Sequence, residues 1–201
     1  IQNLSGEIFV AGETESTDGI FSSNKGAYDC FLMQIDENGN TEWTKTYGGS
    51  SIDFAEKMIF DEENEQFILL NGTTSNDGDI NNYKGGMDIW LSFHDKDGKL
   101  THSKTYGGKR SEEPRDLIMD KKGNLLILSE TNSNDGDIET RNAYGKIDYW
   151  LMKLKPDDGD LNSRVDRMGE VLAKSYAGGA ILGGVASGKK KNILLQEYDM
   201  S

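Results

Sequence analysis

The sequence predicts an all-β fold built from tandem copies of one antiparallel sheet, and three observations lead there. Short motifs recur with a period of about 60 residues. Each period holds apolar runs of strand length, separated by clusters of Gly, Asn and Asp. No window long enough for a globular helix repeats its apolar residues every three to four positions.

The repeat is read from its motifs. Lys45-Thr46-Tyr47-Gly48-Gly49 returns as Lys104-Thr105-Tyr106-Gly107-Gly108, an offset of 59. Asp18-Gly19 returns as Asp77-Gly78 and as Asp135-Gly136. Gly26 before Asp29 returns as Gly85 before Asp88 and Gly145 before Asp148. Each of these Asp residues leads into an aromatic and a leucine: Phe31-Leu32, Trp90-Leu91 and Trp150-Leu151. A turn glycine follows, at Gly39, Gly98 and Gly159. A degraded fourth copy lays Val165-Asp166 over Ile52-Asp53 and Ala180-Ile181-Leu182 over Phe67-Ile68-Leu69. It then lays residues 192–199 over residues 88–95, with the intervening loop cut to Gly188-Lys189-Lys190-Lys191.

Within the second copy, residues 54–60 form a mixed apolar strand, and Asp61-Glu62-Glu63-Asn64 form a turn. Residues 67–70 form a second strand ending at Gly72, and the polar stretch 75–86 is a long loop. Residues 89–94 alternate, with Ile89, Leu91 and Phe93 on one side and Trp90 and Ser92 on the other. Asp95-Lys96-Asp97-Gly98 is a hairpin turn, and residues 100–106 are the fourth strand. Tandem units of four antiparallel strands are the pattern of a β-propeller, because each sheet has two apolar faces that only neighbouring blades cover. The blades run approximately over 1–49, 50–108, 109–163 and 164–201, as a single array. That is about three and a half to four blades, and rings close with ~4–8. The chain opens near the second strand of its first blade (residues 7–13) and ends at the third strand of its last (residues 193–199). This phase favours part of a larger ring over a shrunken four-bladed one. Residues 159–164 leave little room for a fourth strand in the third blade.

Composition narrows the partners. The chain carries 35 acidic against 22 basic residues, a net charge of −13, which repels a phosphate backbone and argues against nucleic acid. No apolar run is long enough for a membrane-spanning helix. Cys30 is the only cysteine, so neither an internal disulfide framework nor a multi-cysteine zinc site is expected. No signal-peptide pattern is visible at the start.

Trp43-Thr44-Lys45-Thr46-Tyr47-Gly48-Gly49-Ser50 followed by Asp53 resembles the repeat of large exported Bacteroidetes proteins. Gly72, Thr74, Ser75, Asp77, Gly78 and Asp79 resemble its middle part, and Asp88, Trp90 and Leu91 its last part. The resemblance covers residues 6 to about 155 and implies a secreted or surface-displayed location; it implies little about activity. Asp36-Glu37-Asn38-Gly39 with Trp43 also resembles the hairpin of quinoprotein-type propellers, whose Trp docks one blade on the next. His102 stands at that position in the second repeat and the third has no counterpart, so a plain hairpin turn followed by an aromatic is the preferred explanation; no cysteine pair or cofactor ligand of that family is identified.

Candidate sites follow from the repeated acids. Ser75-Asn76-Asp77-Gly78-Asp79 and Ser133-Asn134-Asp135-Gly136-Asp137 place side-chain oxygens close together beside a glycine turn. Asp77, Asp79, Asp135 and Asp137 are therefore candidate Ca²⁺ ligands. Self-capped turns are the competing explanation, for these and for Asp95 and Asp97. Asp29, Asp88 and Asp148 are expected to bond amides of the preceding loop, and Trp90 and Trp150 to pack between blades; if exposed instead, the two tryptophans would make sugar-stacking platforms. His94 and His102 are read as solvated, and no catalytic constellation or other cofactor site is expected. The expected role is a non-catalytic binding or scaffold module for a protein or glycan partner, with open edge strands available for self-association. The alternatives are a polysaccharide-acting enzyme, which needs carboxylates converging from positions that differ between blades, and a quinoprotein-like or envelope-assembly propeller.

Overall fold

The structure is a computed structural model that describes residues 1–2, 6–138, 147–154, 161–165, 171–174, 180–183 and 196–198. Gly145, Gly159, the loop 188–191, residues 192–195 and the Asp148 side chain lie outside the described residues. The fold is all-β, and the described residues form four antiparallel sheets. The first contains β1 (Ile8–Thr14), β2 (Asp29–Ile35) and β3 (Thr41–Tyr47). The second contains β4 (Asp53–Asp61), β5 (Gln66–Thr73), β6 (Asp88–Asp95) and β7 (Leu100–Tyr106). The third contains β8 (Glu112–Met119), β9 (Leu125–Thr131), β10 (Asp148–Leu154) and β11 (Leu161–Val165). The fourth contains β12 (Val171–Lys174), β13 (Ala180–Gly183) and β14 (Gln196–Tyr198). Every sheet is a simple meander with its strands in chain order. Among the described residues the only helical element is a 3₁₀ turn at Gly19–Phe21, and no helix is long and apolar enough to cross a membrane.

Short polar turns produce these meanders. Asp36, Asp61, Asp95 and Asp120 each open a hairpin by accepting amides two to four residues ahead. At Asp95, one Oδ1 takes the amides of Asp97 (3.0 Å) and Lys99 (2.8 Å), and the left-handed conformation falls on Gly98, at φ +75°. The strand order of the second sheet matches the sequence expectation closely.

The alternation in β6 decides the packing. Ile89, Leu91 and Phe93 join Leu117, Leu125, Ile127, Trp150 and Met152 of the third sheet in one buried cluster. Trp90, with Phe67 and Leu69, joins Phe9, Cys30, Leu32 and Tyr47 of the first sheet in another. Both faces of the second sheet are thus covered by its neighbours, and Trp90 and Trp150 are interior residues rather than exposed platforms. The leading strands also succeed one another in space, β1 against β4, β4 against β8 and β8 against β12.

Two sequence expectations are corrected. A fourth strand does complete the third sheet: β11 pairs antiparallel with β10, using residues 161–165, including Val165 that the repeat alignment had placed in the next copy. Five residues suffice because an outer strand has to pair along one edge only. His94 is not solvated but wholly buried, since Trp90, Ser92 and His94 share the face of β6 that meets the first sheet.

Removing the largest side chain of the first interface should therefore cost more than its own sheet can absorb. Trp90→Ala is expected to lower unfolding free energy by about 3–5 kcal/mol in urea denaturation. A loss below about 1 kcal/mol would contradict a well-packed sheet-to-sheet interface.

Candidate functional site

The residues that repeat meet at the crossings between sheets. At the first crossing, Asp53 Oδ2 accepts the Gly49 amide (2.7 Å) and the Ser75 hydroxyl (2.7 Å), and its Oδ1 accepts the Thr73 hydroxyl (2.5 Å). At the second, Glu112 does the same work: Oε2 takes the Gly108 amide (2.7 Å) and Oε1 the Thr131 hydroxyl (2.8 Å). Asp29 and Asp88 accept the amides of Lys25 (2.8 Å) and Lys84 (2.6 Å), as the sequence reading expected of the acid that opens the third strand of each repeat. Gly48 has to be glycine, because a Cβ there would lie 2.5 Å from Asp29 Oδ1 and 2.8 Å from Asp53 Oδ2.

The four candidate metal ligands belong to the same clasps. Asp79 Oδ2 accepts the Gly48 amide (3.0 Å) and the Lys25 ammonium (2.5 Å). Asp137 Oδ2 accepts the Gly107 amide (3.1 Å) and pairs with Lys84 (2.9 Å). Asp77 and Asp135 accept the amides of Ser50 (2.7 Å) and Lys109 (2.8 Å). The Ser50 bond holds the Asp77 carboxyl below the usual carboxylate range. Among the described residues no group of three or more His, Cys, Asp or Glu is arranged to hold a metal ion.

A second contact type links consecutive sheets. Trp43 covers the hairpin of the next sheet, where a Cβ on Gly98 would lie 2.6 Å from its ring. Lys45 Nζ donates to Asp97 O (2.5 Å), and the Tyr47 hydroxyl donates to Gly98 O. Trp43, Lys45 and Tyr47 thus bring one sheet onto the hairpin of the next. Beneath it runs a buried polar row that the sequence reading missed. Asn71 Nδ2 donates to Ser92 Oγ (2.9 Å), Ser92 Oγ bonds His94 Nε2 (2.9 Å), and the His94 ring meets Tyr47 edge-on at 4.3 Å. Burial pushes His94 down to about 4, so the ring is neutral. The signal for this row was its exception: the third sheet carries Ser129, Met152 and Leu154 at the matching positions.

The residues that do not repeat gather on the leading strands. Glu56 and Lys57 on β4 stand where β8 has Arg115 and Asp116, so the charges are exchanged. Lys57 Nζ reaches Asp116 Oδ1 at 2.9 Å, from one sheet to the next. Arg115 donates to Glu130 (3.1 Å) through Nε and to Glu113 (2.8 Å) through Nη2. Partial burial raises the Glu56 carboxyl; nearby Arg115 opposes this, while Glu113, Asp116 and Glu13 add to it. Beside this cluster a cleft of about 400 Å³ opens between residues 9–11 of β1 and 55–58 of β4.

These features define the class as an all-β protein of repeated antiparallel sheets joined by carboxylate-clasped crossings. No protein-family model matches the chain, and a search of curated proteins finds no match.

Two measurements test these acids. Burial raises the Asp88 carboxyl from 3.8 to about 6; the Lys84 amide and ammonium oppose this and Glu112 adds to it. The fold thus favours the protonated acid, so this contribution is complete below pH 3.8 and is lost as pH rises through about 6. Asp88→Asn should gain on the order of 2 kcal/mol over the wild type at pH 8, shrinking toward pH 4, in urea denaturation. A pH-independent difference would contradict a titrating carboxyl. Ca²⁺ at Asp77 and Asp79, or at Asp135 and Asp137, has to compete with the amides and ammonium groups already bound there. Calorimetric titration that evolves no heat removes Ca²⁺ from these loops.

Proposed function

We propose that the chain is a β-propeller array acting as a non-catalytic, exported or surface-displayed module that binds a protein or glycan. The propeller reading rests on the succession of leading strands and on the second sheet being covered on both faces. The location rests on the resemblance of the Trp43–Ser50 and Ser75–Asp79 motifs to exported repeats. The binding role rests on one observation: the repeating polar residues are consumed by the crossings, whereas the charges that differ between sheets converge on β4 and β8. Glu56, Glu113 and Arg115 there offer both hydrogen-bond acceptors and a guanidinium to sugar hydroxyls or to a charged protein surface.

Glycan arrays and pull-downs with the wild type and an Arg115→Ala, Glu56→Gln double variant test this reading. At least tenfold weaker retention by the double variant is the expected outcome. Retention of no ligand at all by the wild type would leave only a spacer role.

One observation favours a polysaccharide-acting enzyme as the second reading. Partial burial shifts the Glu56 carboxyl upward, the direction a general acid needs, and it stands among carboxylates from non-equivalent positions. Release of reducing ends from a polysaccharide panel, abolished by Glu56→Gln, would establish that reading in place of the first.

A further inference from the structure

The leading strands of the second and third sheets share a backbone irregularity. Each carries a β-bulge at the same place, with Glu56 the extra residue between Ala55 and Lys57, and Arg115 between Pro114 and Asp116. The extra residue of a bulge has no ladder partner, and its side chain is re-aimed off the regular pleat. Lys57 Nζ and Asp116 Oδ1, on the residues that follow, meet at 2.9 Å and hold the two bulges side by side.

Two residues ahead of each bulge the sheets diverge. In the third sheet Glu113 stands opposite Glu130, and both accept hydrogen bonds from Arg115. In the second sheet the same pair of positions holds Phe54 and Gly72. Gly72 lets the phenyl ring lie against the sheet, because a Cβ there would come 2.5 Å from both Cε1 and Cζ. Met87 Sδ flanks the same glycine, and the ring stays half-buried. Glu56 is exposed and takes no hydrogen bond or ion pair among the described residues. Arg115 is held through Nε and Nη2, which leaves Nη1 unbonded among the described residues.

The charges narrow the ligand. Lys57 is committed to Asp116, and Arg115 to two glutamates. An anion would find neither cation unpaired, and it would approach a chain of net charge −13. What the two strands offer is an apolar ring, a carboxylate acceptor and the N–H pair of a guanidinium fixed in orientation. We infer that this place binds a neutral glycan, a pyranose laying its C–H face on Phe54 and bonding adjacent hydroxyls to Glu56 and Arg115. Sugars with equatorial hydroxyls fit best, since they carry C–H groups on their faces and hydroxyls around their rim. This inference rests on the binding role proposed for Glu56 and Arg115 and names its ligand.

The test is calorimetric titration of the chain with neutral oligosaccharides of cellulose, mannan and xylan, beside anionic oligogalacturonate and cationic chitosan oligosaccharide. Saturable binding of a neutral sugar is expected, with shifted Phe54 ring signals in the magnetic resonance spectrum of the phenylalanine-labelled chain. Phe54→Leu keeps an apolar side chain over Gly72 and should weaken binding about fivefold, the size of one aromatic contact. The ring shifts of the wild type decide the matter even if that variant does not fold. Unmoved Phe54 signals at saturation overturn the inference, as does tighter binding of the galacturonate or chitosan oligosaccharide, which charge alone would draw. If all three neutral sugars fail to saturate at millimolar concentration while another ligand is retained through Glu56 and Arg115, the inference falls and the binding role stands. If nothing is retained, both fall.

Discussion

The capture of each crossing by a buried carboxylate is the interaction on which the other features depend. When one sheet ends and the next begins, the chain reverses through two glycines whose amides have no ladder partner. Asp53 and Glu112 supply that partner to the second glycine of each pair, Asp79 and Asp137 to the first, and Asp53 and Glu112 also hold the threonine that ends the second strand of their own sheet. One side chain thereby ties three segments: the end of the preceding sheet, the leading strand and the start of the long loop. Apolar contact between two sheets is strong but non-directional. The clasp gives direction, and the apolar faces of β6 supply most of the cohesion.

The tie has an electrostatic cost. Asp29 lies beside Asp53, and Asp88 beside Glu112, with water excluded from both pairs. Each pair concentrates negative charge that amides and hydroxyls offset only in part. The raised carboxyls of Asp29 and Asp88 express that imbalance: burial raises both, and the neighbouring acid adds to it. Lys25 and Lys84 sit where they moderate it, each also pairing with the second acid of the adjoining loop, Asp79 or Asp137. The repeated Asp-Gly-Asp motif therefore serves geometry and charge together.

The sheets were legible in the sequence because their signals are local. The alternation of residues 89–94 assigned both faces of β6 correctly, and the Asp-x-Asp-Gly turn fixed the hairpin that follows it. The clasp was half legible: the acid that opens each third strand was expected to bond loop amides, and Asp29 and Asp88 do. The partners of Asp53 and Glu112 were not, since an Asp and a Glu at equivalent positions look like drift rather than one function met by two lengths of side chain. His94 was misplaced because a histidine near a strand end is ordinarily solvated; only the depth to which the Trp90 face is covered puts it inside. The charge cluster of Glu56 and Arg115 escaped notice because it is defined by contrast between copies, and a search for repetition discards contrast. The array reading in turn left β11 out, since a five-residue outer strand carries too few residues to set a pattern.

The row of Asn71, Ser92 and His94 bears on how near-identical units find their proper mates. These three groups bond in a row, Asn71 to Ser92 and Ser92 to His94, sealed beneath Tyr47 and its sheet. Swapped onto the hydrocarbon surface that the third sheet offers, they would lose that lid, and the Met152 and Leu154 counterparts could supply no polar contact in return. The two junctions are consequently not interchangeable, and a chain of look-alike parts acquires an address that distinguishes first neighbour from second.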